Sequence, residues 1–270
     1  MKSKVWFITG VSSGFGKGVI EKTLKAGDSV IAVSRNISSL DELSKEHKQK
    51  LLVAKGDVRV TSEVDQAVKK GLEKFGRIDV LLNNAGHGMF GGGEEVTEQE
   101  LLNVFETNVF GLMRVIRAVL PSMRAEKSGQ IINVSSSIGH ATLPFVGAYA
   151  ATKHAVEALT ESLQGEVAAL GIRVNVIDPG YYATGFASSM PVATGIPDYQ
   201  VVREQVMNYW GSMTPGNPIE VVSAIRYAAE NSDAPFRIFV GDDGRGWAKE
   251  SLTRRLQDAN AEAVEKKQHS

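Results

Sequence analysis

Thr9-Gly10-Val11-Ser12-Ser13-Gly14-Phe15-Gly16 follows the β-rich run Lys4–Thr9 and opens a helical stretch. Three glycines at a strand-to-helix turn let the chain fold back tightly and bring backbone N–H groups close to an anion. The helix that starts there turns the positive end of its dipole to the same point. The spacing is not Gly-x-Gly-x-x-Gly, and no Gly-Lys-Ser/Thr closes it as in a triphosphate loop. Gly10, Ser12, Ser13, Gly14, Phe15 and Gly16 are therefore the expected cradle of a dinucleotide pyrophosphate.

Working outward, short β-rich runs alternate with longer helical ones. Strands are expected at Lys4–Thr9, Ser29–Ser34, Leu51–Lys55, Val80–Asn83, Gln130–Ser135, Arg173–Ile177 and Phe236–Val240. Most are continuous apolar runs, as expected for a parallel sheet covered on both faces. Helix starts are signalled by capping boxes at Ser39-Leu40-Asp41-Glu42 and Thr97-Glu98-Gln99-Glu100, and by Asn217-Pro218-Ile219-Glu220. Repeated β-α-β units predict a doubly wound α/β sheet. With no internal repeat and no low-complexity linker, residues 1–270 read as a single domain. The irregular stretch from 181 to 216 falls where α/β folds place ligand loops. Its glycines, Gly185, Gly195, Gly211 and Gly216, could hinge a closing segment. About 245–270 reads as a C-terminal helix or tail.

Composition narrows the function. The chain has 270 residues, 30 Lys+Arg against 31 Asp+Glu, 43% hydrophobic residues and no cysteine. Disulfides, thiolate zinc sites and a cysteine nucleophile are excluded. A net charge of −1 argues against a nucleic-acid binder. The N-terminal apolar run is too short for a signal-peptide core, and no run approaches the ~20 apolar residues of a membrane helix. A cytoplasmic protein is expected. The histidines form no His-Glu-x-x-His or other metal pair, so no metal is expected.

The second strand ends in Ser34-Arg35. An NAD site usually carries Asp or Glu there for the ribose 2′-hydroxyl. A guanidinium instead suits a 2′-phosphate through charge-assisted hydrogen bonds, so NADP(H) is the expected cofactor. Asp57-Val58 and Asn83-Asn84-Ala85-Gly86 close the third and fourth strands. There Asp57, Val58, Asn84, Ala85 and Gly86 can reach the adenosine half or order the loops around it.

The fifth strand runs into Ser135-Ser136-Ser137, followed by Tyr149-x-x-x-Lys153. Tyr and Lys four apart share one helix face. A phenol of pKa ~10 is a poor acid at neutral pH. A nearby ammonium should lower that pKa and make Tyr149 a usable general acid, with a serine hydroxyl holding the substrate oxygen beside it.

From Val5 to Thr184, the glycine loop, Asn83-Asn84-Ala85-Gly86, Asn108, the serine run, Tyr149-x-x-x-Lys153 and Pro179-Gly180-x-x-x-Thr184 together resemble the short-chain dehydrogenase/reductase family. The stretch from Asn83 to Phe186 is most similar to its 17-beta-hydroxysteroid-dehydrogenase-like subgroup. The resemblance implies a Rossmann fold with a seven-stranded parallel sheet and helices on both faces. It implies Asn108, Ser136, Tyr149 and Lys153 as the catalytic set, with Tyr149 and Lys153 also touching cofactor. Pro179, Gly180 and Thr184 would embrace the nicotinamide. Reversible reduction of a ketone or aldehyde by NADPH follows. The alternatives are an NADP(H) sensor without turnover and a sugar-nucleotide epimerase.

Around that centre, His87, Met89 and Phe90, then His140, Leu143 and Phe145, then Tyr181, Tyr182, Phe186 and Met190 are the expected substrate contacts. Ser136 and Tyr149 join them. Their mostly apolar character suits a small hydrophobic carbonyl or alcohol. His154 is expected to be structural. The helices expected at Glu98–Arg124 and Tyr149–Leu170 are those by which family members form homodimers or homotetramers.

Overall fold

The computed structural model describes residues 3–261. In chain order the elements are β1 (Val5–Thr9), α1 (Gly14–Lys25), β2 (Ser29–Ser34), α2 (Asp41–Glu46), β3 (Leu51–Lys55), α3 (Thr61–Phe75), β4 (Val80–Asn83), α4 (Glu98–Phe105), α5 (Leu112–Glu126), β5 (Gly129–Val134), α6 (Gly147–Val167), β6 (Ile172–Pro179), α7 (Gln200–Ser212), α8 (Pro218–Glu230), β7 (Arg237–Val240) and α9 (Asp242–Asn260). All seven strands run parallel in one sheet, ordered β3-β2-β1-β4-β5-β6-β7. This is the α/β Rossmann arrangement that the alternating pattern predicts.

Alternate strand residues face opposite sides, and both sides are buried. Phe7, Ile31, Leu81 and Ile131 pack with α3, α5 and α6 through Val64, Val68, Val115, Ile116, Val156 and Leu163. Trp6, Ile8, Val30, Leu82 and Ile132 pack with α1 and α8 through Val19, Ile20, Val221, Val222 and Ile225. This two-sided burial explains why the strands read as unbroken apolar runs. Strand order reverses between β1 and β4, and their carboxyl ends open the crevice where such folds bind ligands.

Local signals hold with two exceptions. Thr97 and Glu100 make both hydrogen bonds of a capping box, and the Asn217 side chain accepts from the Ile219 N–H. At Ser39 the expected box is absent. Asn36 takes the Ser38 N–H and hydroxyl three residues earlier, and buried Leu40 enters α2 through a short 3-10 turn instead. The helix expected at Glu98–Arg124 is broken by a π turn, Glu106–Gly111, before α5 resumes through Pro121. A side chain at Gly111 would meet Val58 at 2.7 Å, so the π turn lies close against the end of β3.

The irregular stretch from 181 to 216 contains two 3-10 turns and α7. The C-terminal expectation is met by α9, and residues 262–270 lie outside the described residues. Among the described residues no helix is long and apolar enough to cross a membrane.

The sheet's amino edge is tied to α8 through one carboxylate. Asp28 accepts from the Lys4 N–H at 2.9 Å, the Trp6 indole at 3.1 Å and Arg226 at 3.0 Å. The Arg226 guanidinium also lies 5.3 Å over the Trp6 ring. Asp28→Ala strands three donors, one a partly buried charge, so it should cost about 3 kcal/mol. Urea denaturation of the two proteins measures this directly, and a loss below about 1 kcal/mol would contradict it.

Candidate active site

The carboxyl ends of the strands enclose a cavity of about 330 Å³. One end lies at Ser34, Arg35, Asp57 and Val58, and the other at Ser136, Tyr149 and Phe186. Its shape follows from the turn after β1. Gly10 has φ +69°, and a Cβ there would lie 2.7 Å from the Ala85 backbone. The turns after β1 and β4 therefore touch. Thr9 Oγ1 accepts from the Asn84 and Ala85 N–H groups at 3.1 and 3.2 Å, and the Asn84 amide donates to the Gly10 carbonyl at 2.7 Å.

Ser13 caps α1 without a side-chain hydrogen bond. The first-turn N–H groups thus face the cavity beside Ser12, Ser13, Gly14 and Phe15. An uncapped helix start, a positive-φ glycine and close backbone approach are what a pyrophosphate needs. The residues fit a dinucleotide.

Of the expected cofactor contacts, Gly10, Ser12, Ser13, Gly14, Phe15, Ser34, Arg35, Asp57, Val58, Asn84, Ala85, Gly86, Tyr149, Lys153, Pro179, Gly180 and Thr184 line the cavity. Gly16 does not. A Cβ there would overlap the Gly10 carbonyl, so its role is to let α1 pack beneath the loop. Arg35 is exposed at the rim. Arg59, which no motif marked, forks onto Asp57 with contacts of 2.6–3.0 Å. That hydrogen-bonded pair holds the Asp57 carboxyl below its ordinary range, with Arg35 adding to the effect.

At the other end, Ser136 and Tyr149 are each 8% exposed. The Ser136 hydroxyl donates to the Pro179 carbonyl at 3.3 Å and accepts from the Ile138 N–H at 3.3 Å. The Tyr149 ring packs on Phe186 with centroids 5.4 Å apart. Lys153 donates to the Val134 carbonyl at 2.9 Å, with Nζ 5.8 Å from the Tyr149 ring centre. The expected lowering of the Tyr149 pKa by Lys153 is not what this geometry gives. Burial pushes the phenol up, with a Ser136 hydrogen bond drawing it partly back. Burial brings Lys153 down to about 8 against the pull of Asp178 and Glu157.

Asn108 stands outside the cavity wall, in the π turn. Its Oδ1 accepts from the His87 N–H at 3.0 Å, and its amide donates to the His87 carbonyl and Thr152 Oγ1 at 2.9 and 3.0 Å. It pins the turn after β4 to α6.

Of the substrate contacts, His87, Leu143, Tyr181, Tyr182, Phe186 and Met190 line the cavity. Met89 and His140 do not, which corrects the reading of both. Met89 is 2% exposed, in a segment where Phe90 bridges to Val192 and holds the backbone extended. His140 is carried behind the wall by the short turn Ser137–Gly139, against Asp178, Glu157 and Phe239. Phe90 and Phe145 belong to a small core with Val146 and Val206. His154 bonds the Ala150 carbonyl and is structural, as expected. Sequence reasoning missed Trp210, Met213 and Trp247, which join the wall from α7, the loop after it and α9. No local pattern marks them. The trio His140, Glu157 and Asp178, whose donor atoms lie within 4.8 Å of one another, is likewise assembled from three distant stretches.

The lowered Lys153 pKa has a measurable sign. Between about 8 and the ordinary lysine value near 10.5 the unfolded chain holds a proton that the folded chain lacks. Stability contributed through Lys153 should therefore rise with pH in that window, by up to about 1.4 kcal/mol per unit. The difference in unfolding free energy between wild type and Lys153→Met, measured without nucleotide, should move in favour of wild type from pH 8 to 10. A flat difference would refute this.

The short-chain dehydrogenase family model matches residues 4–193. An oxidoreductase of Botryotinia fuckeliana is 37% identical over 252 residues, 91% of this chain and 92% of its own. A 3-ketodihydrosphingosine reductase of Bacteroides thetaiotaomicron is 38% identical over 72% of this chain and 69% of its own. The crystal structure of a short-chain dehydrogenase from Streptomyces avermitilis superposes with a TM-score of 0.89, at 36% identity, over 95% of this chain and 94% of that one. With the sheet order and the cavity at its carboxyl edge, these likenesses establish that the chain belongs to the short-chain dehydrogenase/reductase family of nicotinamide-dependent oxidoreductases.

Proposed function

We propose that the protein is an NADP(H)-dependent reductase of hydrophobic ketones or aldehydes. The observation that carries this reading is the shared wall of one cavity, with Ser136, Tyr149 and Lys153 at one end and Arg35 at the other. The dinucleotide would lie on the turn after β1, with Arg35 and Ser34 at its ribose 2′-substituent. Pro179, Gly180 and Thr184 would border its nicotinamide, which supplies a hydride when bound.

The chain's own residues handle the oxygen. Ser136 donates a hydrogen bond to the substrate carbonyl and fixes its position beside Tyr149. Tyr149 donates the proton. Burial keeps that phenol protonated at neutral pH, which is the form reduction requires. Lys153, on the same face of α6, replaces charge near the phenol as its proton leaves. Phe186, Met190, Trp210, Met213 and Trp247 supply the apolar wall that supports a hydrophobic substrate. The name of the Bacteroides relative, a ketone reductase, is consistent with that choice. The sequence resemblance to the 17-beta-hydroxysteroid-dehydrogenase-like subgroup makes steroid ketones one of the substrate classes to try. Leu101, Leu102 and Phe110, left exposed along α4 and the π turn, support the homo-oligomer that the family resemblance implies.

The test is turnover of NADPH and NADH, followed by the absorbance of the reduced nicotinamide, with aryl ketones, aliphatic aldehydes and steroids. Tyr149→Phe should lower kcat by roughly 10²–10⁴-fold while nucleotide affinity changes by less than about threefold. Retained turnover would overturn the assignment of the proton donor. Arg35→Ala should lower kcat/KM for NADPH by about 10- to 100-fold, the worth of a charge-assisted bond, and leave NADH nearly unchanged. Equal losses with both nucleotides would refute the NADP(H) preference.

A further inference from the structure

We propose that the buried trio His140, Glu157 and Asp178 positions the reacting groups. It supplies the negative charge that keeps Lys153 an ammonium, and it packs the turn that carries Ser136. The inference rests on the roles of Ser136, Tyr149 and Lys153 given above.

The three side chains come from separate elements. Glu157 follows Tyr149 and Lys153 at successive four-residue steps on α6, so all three share one helix face. Asp178 lies near the end of β6 and is fully buried, while His140 follows the turn after β5. His140 Nε2 is 3.3 Å from Asp178 Oδ2 and 3.5 Å from Glu157 Oε2. The second oxygens, Glu157 Oε1 and Asp178 Oδ1, are buried without a hydrogen-bond partner among the described residues.

Arg237, from β7, meets Glu157 Oε2 at 3.0 Å and also pairs with Glu161 at the outer rim. Glu157 is therefore matched from the solvent side. Asp178 has His140 and, among the described residues, no Lys or Arg within salt-bridge distance. Lys153 bonds a neutral carbonyl and, like Asp178, is buried. Burial raises the Asp178 carboxyl to about 7 against the pull of His140, so above that pH a buried carboxylate and a buried ammonium, neither with a close counter-ion among the described residues, offset each other's desolvation. The titratable groups that act on Lys153 are Tyr149 and Glu157 on its own helix and Asp178 from β6, and His140 reaches it only through those two carboxylates. Arg237 and Glu161 form an outer layer. The direction of the carboxylates' effect agrees, since Asp178 and Glu157 both act to raise the Lys153 pKa against burial.

Packing links the trio to Ser136 as well. A Cβ on Gly139 would lie 2.9 Å from Ser135 Oγ and 3.2 Å from both Glu157 Cγ and the Lys153 carbonyl. The turn that starts at Ser136 therefore lies flush on α6 at these two residues. Pro179, next after Asp178, provides the carbonyl that holds the Ser136 hydroxyl.

The test uses the pH dependence of stability in a double-mutant cycle, with no nucleotide needed. The unfolding free-energy difference between wild type and Lys153→Met should bend near pH 8. The same difference taken between Asp178→Asn and Asp178→Asn/Lys153→Met should bend about one pH unit lower, since an opposite charge has been removed. A bend that stays within about 0.3 unit of the first overturns the proposal, because a merely structural role would lower stability without moving the lysine's titration. If Asp178→Asn does not fold, Glu157→Gln in the same cycle must move the bend in the same direction, or the proposal fails. In turnover, Asp178→Asn should move the alkaline limb of the kcat profile down by a similar amount, with KM nearly constant. Because the stability cycle uses neither cofactor nor substrate, it can succeed even where Tyr149→Phe retains turnover and the functional reading falls.

Discussion

The contact on which the site depends is the one between the turns after β1 and β4. The Thr9 hydroxyl oxygen accepts from the Asn84 and Ala85 N–H groups, and the Asn84 side-chain amide donates to the Gly10 carbonyl. These two strands are neighbours in the sheet but distant in sequence, and their following segments go to opposite faces. The crevice between them exists because α1 leaves on one side and the chain towards α4 on the other. Gly10 lets the turns touch, and Gly16 lets α1 start directly beneath them. A larger residue at either position would push the helix start away from the strand ends. The cradle for a pyrophosphate is therefore a property of strand order and two missing side chains, with few charged groups involved.

The far end of the cavity works on the opposite principle. There the chain buries groups that water would otherwise solvate. Tyr149 and Lys153 sit on one helix face, with Ser136 held by a backbone carbonyl and a backbone N–H. Burial raises the phenol and lowers the ammonium, so two proton affinities that nearly coincide in water move apart. Asn108 contributes by restraint: three hydrogen bonds fasten the His87 peptide and Thr152, which keeps the turn after β4 at a fixed distance from α6. The π turn around Asn108 is the local irregularity that lets a helix residue reach across in this way.

Much of this was legible in the residues because it is local. Short β-rich runs, most of them continuously apolar, marked all seven strands to within two residues at either end, since a strand buried on both faces has little polar alternation to blur. The glycine loop, the serine run and the Tyr-Lys pair each sit on one element or one turn, so spacing alone fixes their geometry. The failures are matters of competition or distance. Ser39 lost its cap because Asn36 organised the chain first. His140 lies only nine residues before Tyr149, yet one short turn carries it behind the cavity wall. Trp210, Met213 and Trp247 reach the wall from segments whose approach depends on how the region from 181 to 216 folds back. Arg59 takes its place because the turn after β3 brings its N–H and guanidinium back onto the Asp57 carboxylate.

That fold-back has its own physical anchor, which changes how its glycines read. Phe90 bridges to Val192, the Phe90 N–H donates to the Pro191 carbonyl at 2.9 Å, and Arg203 of α7 pairs with buried Glu95. The same guanidinium lies over the Phe90 and Phe145 rings at 5.3 and 4.9 Å. Glu95 also takes the Gly92 and Ile196 N–H groups, so one carboxylate joins the segment before α4 to the segment before α7. Of the four glycines that could act as hinges, Gly195 lies against Arg203, and a side chain at Gly216 would collide with the Tyr182 ring. These two are small because something packs on them. Gly185 and Gly211 face open space, and they flank the part of the segment that carries Phe186, Met190 and Trp210. The cavity wall is thus clamped at Glu95 and Arg203, while nothing packs on Gly185 or on Gly211 in the last turn of α7, so packing does not require a glycine at either position.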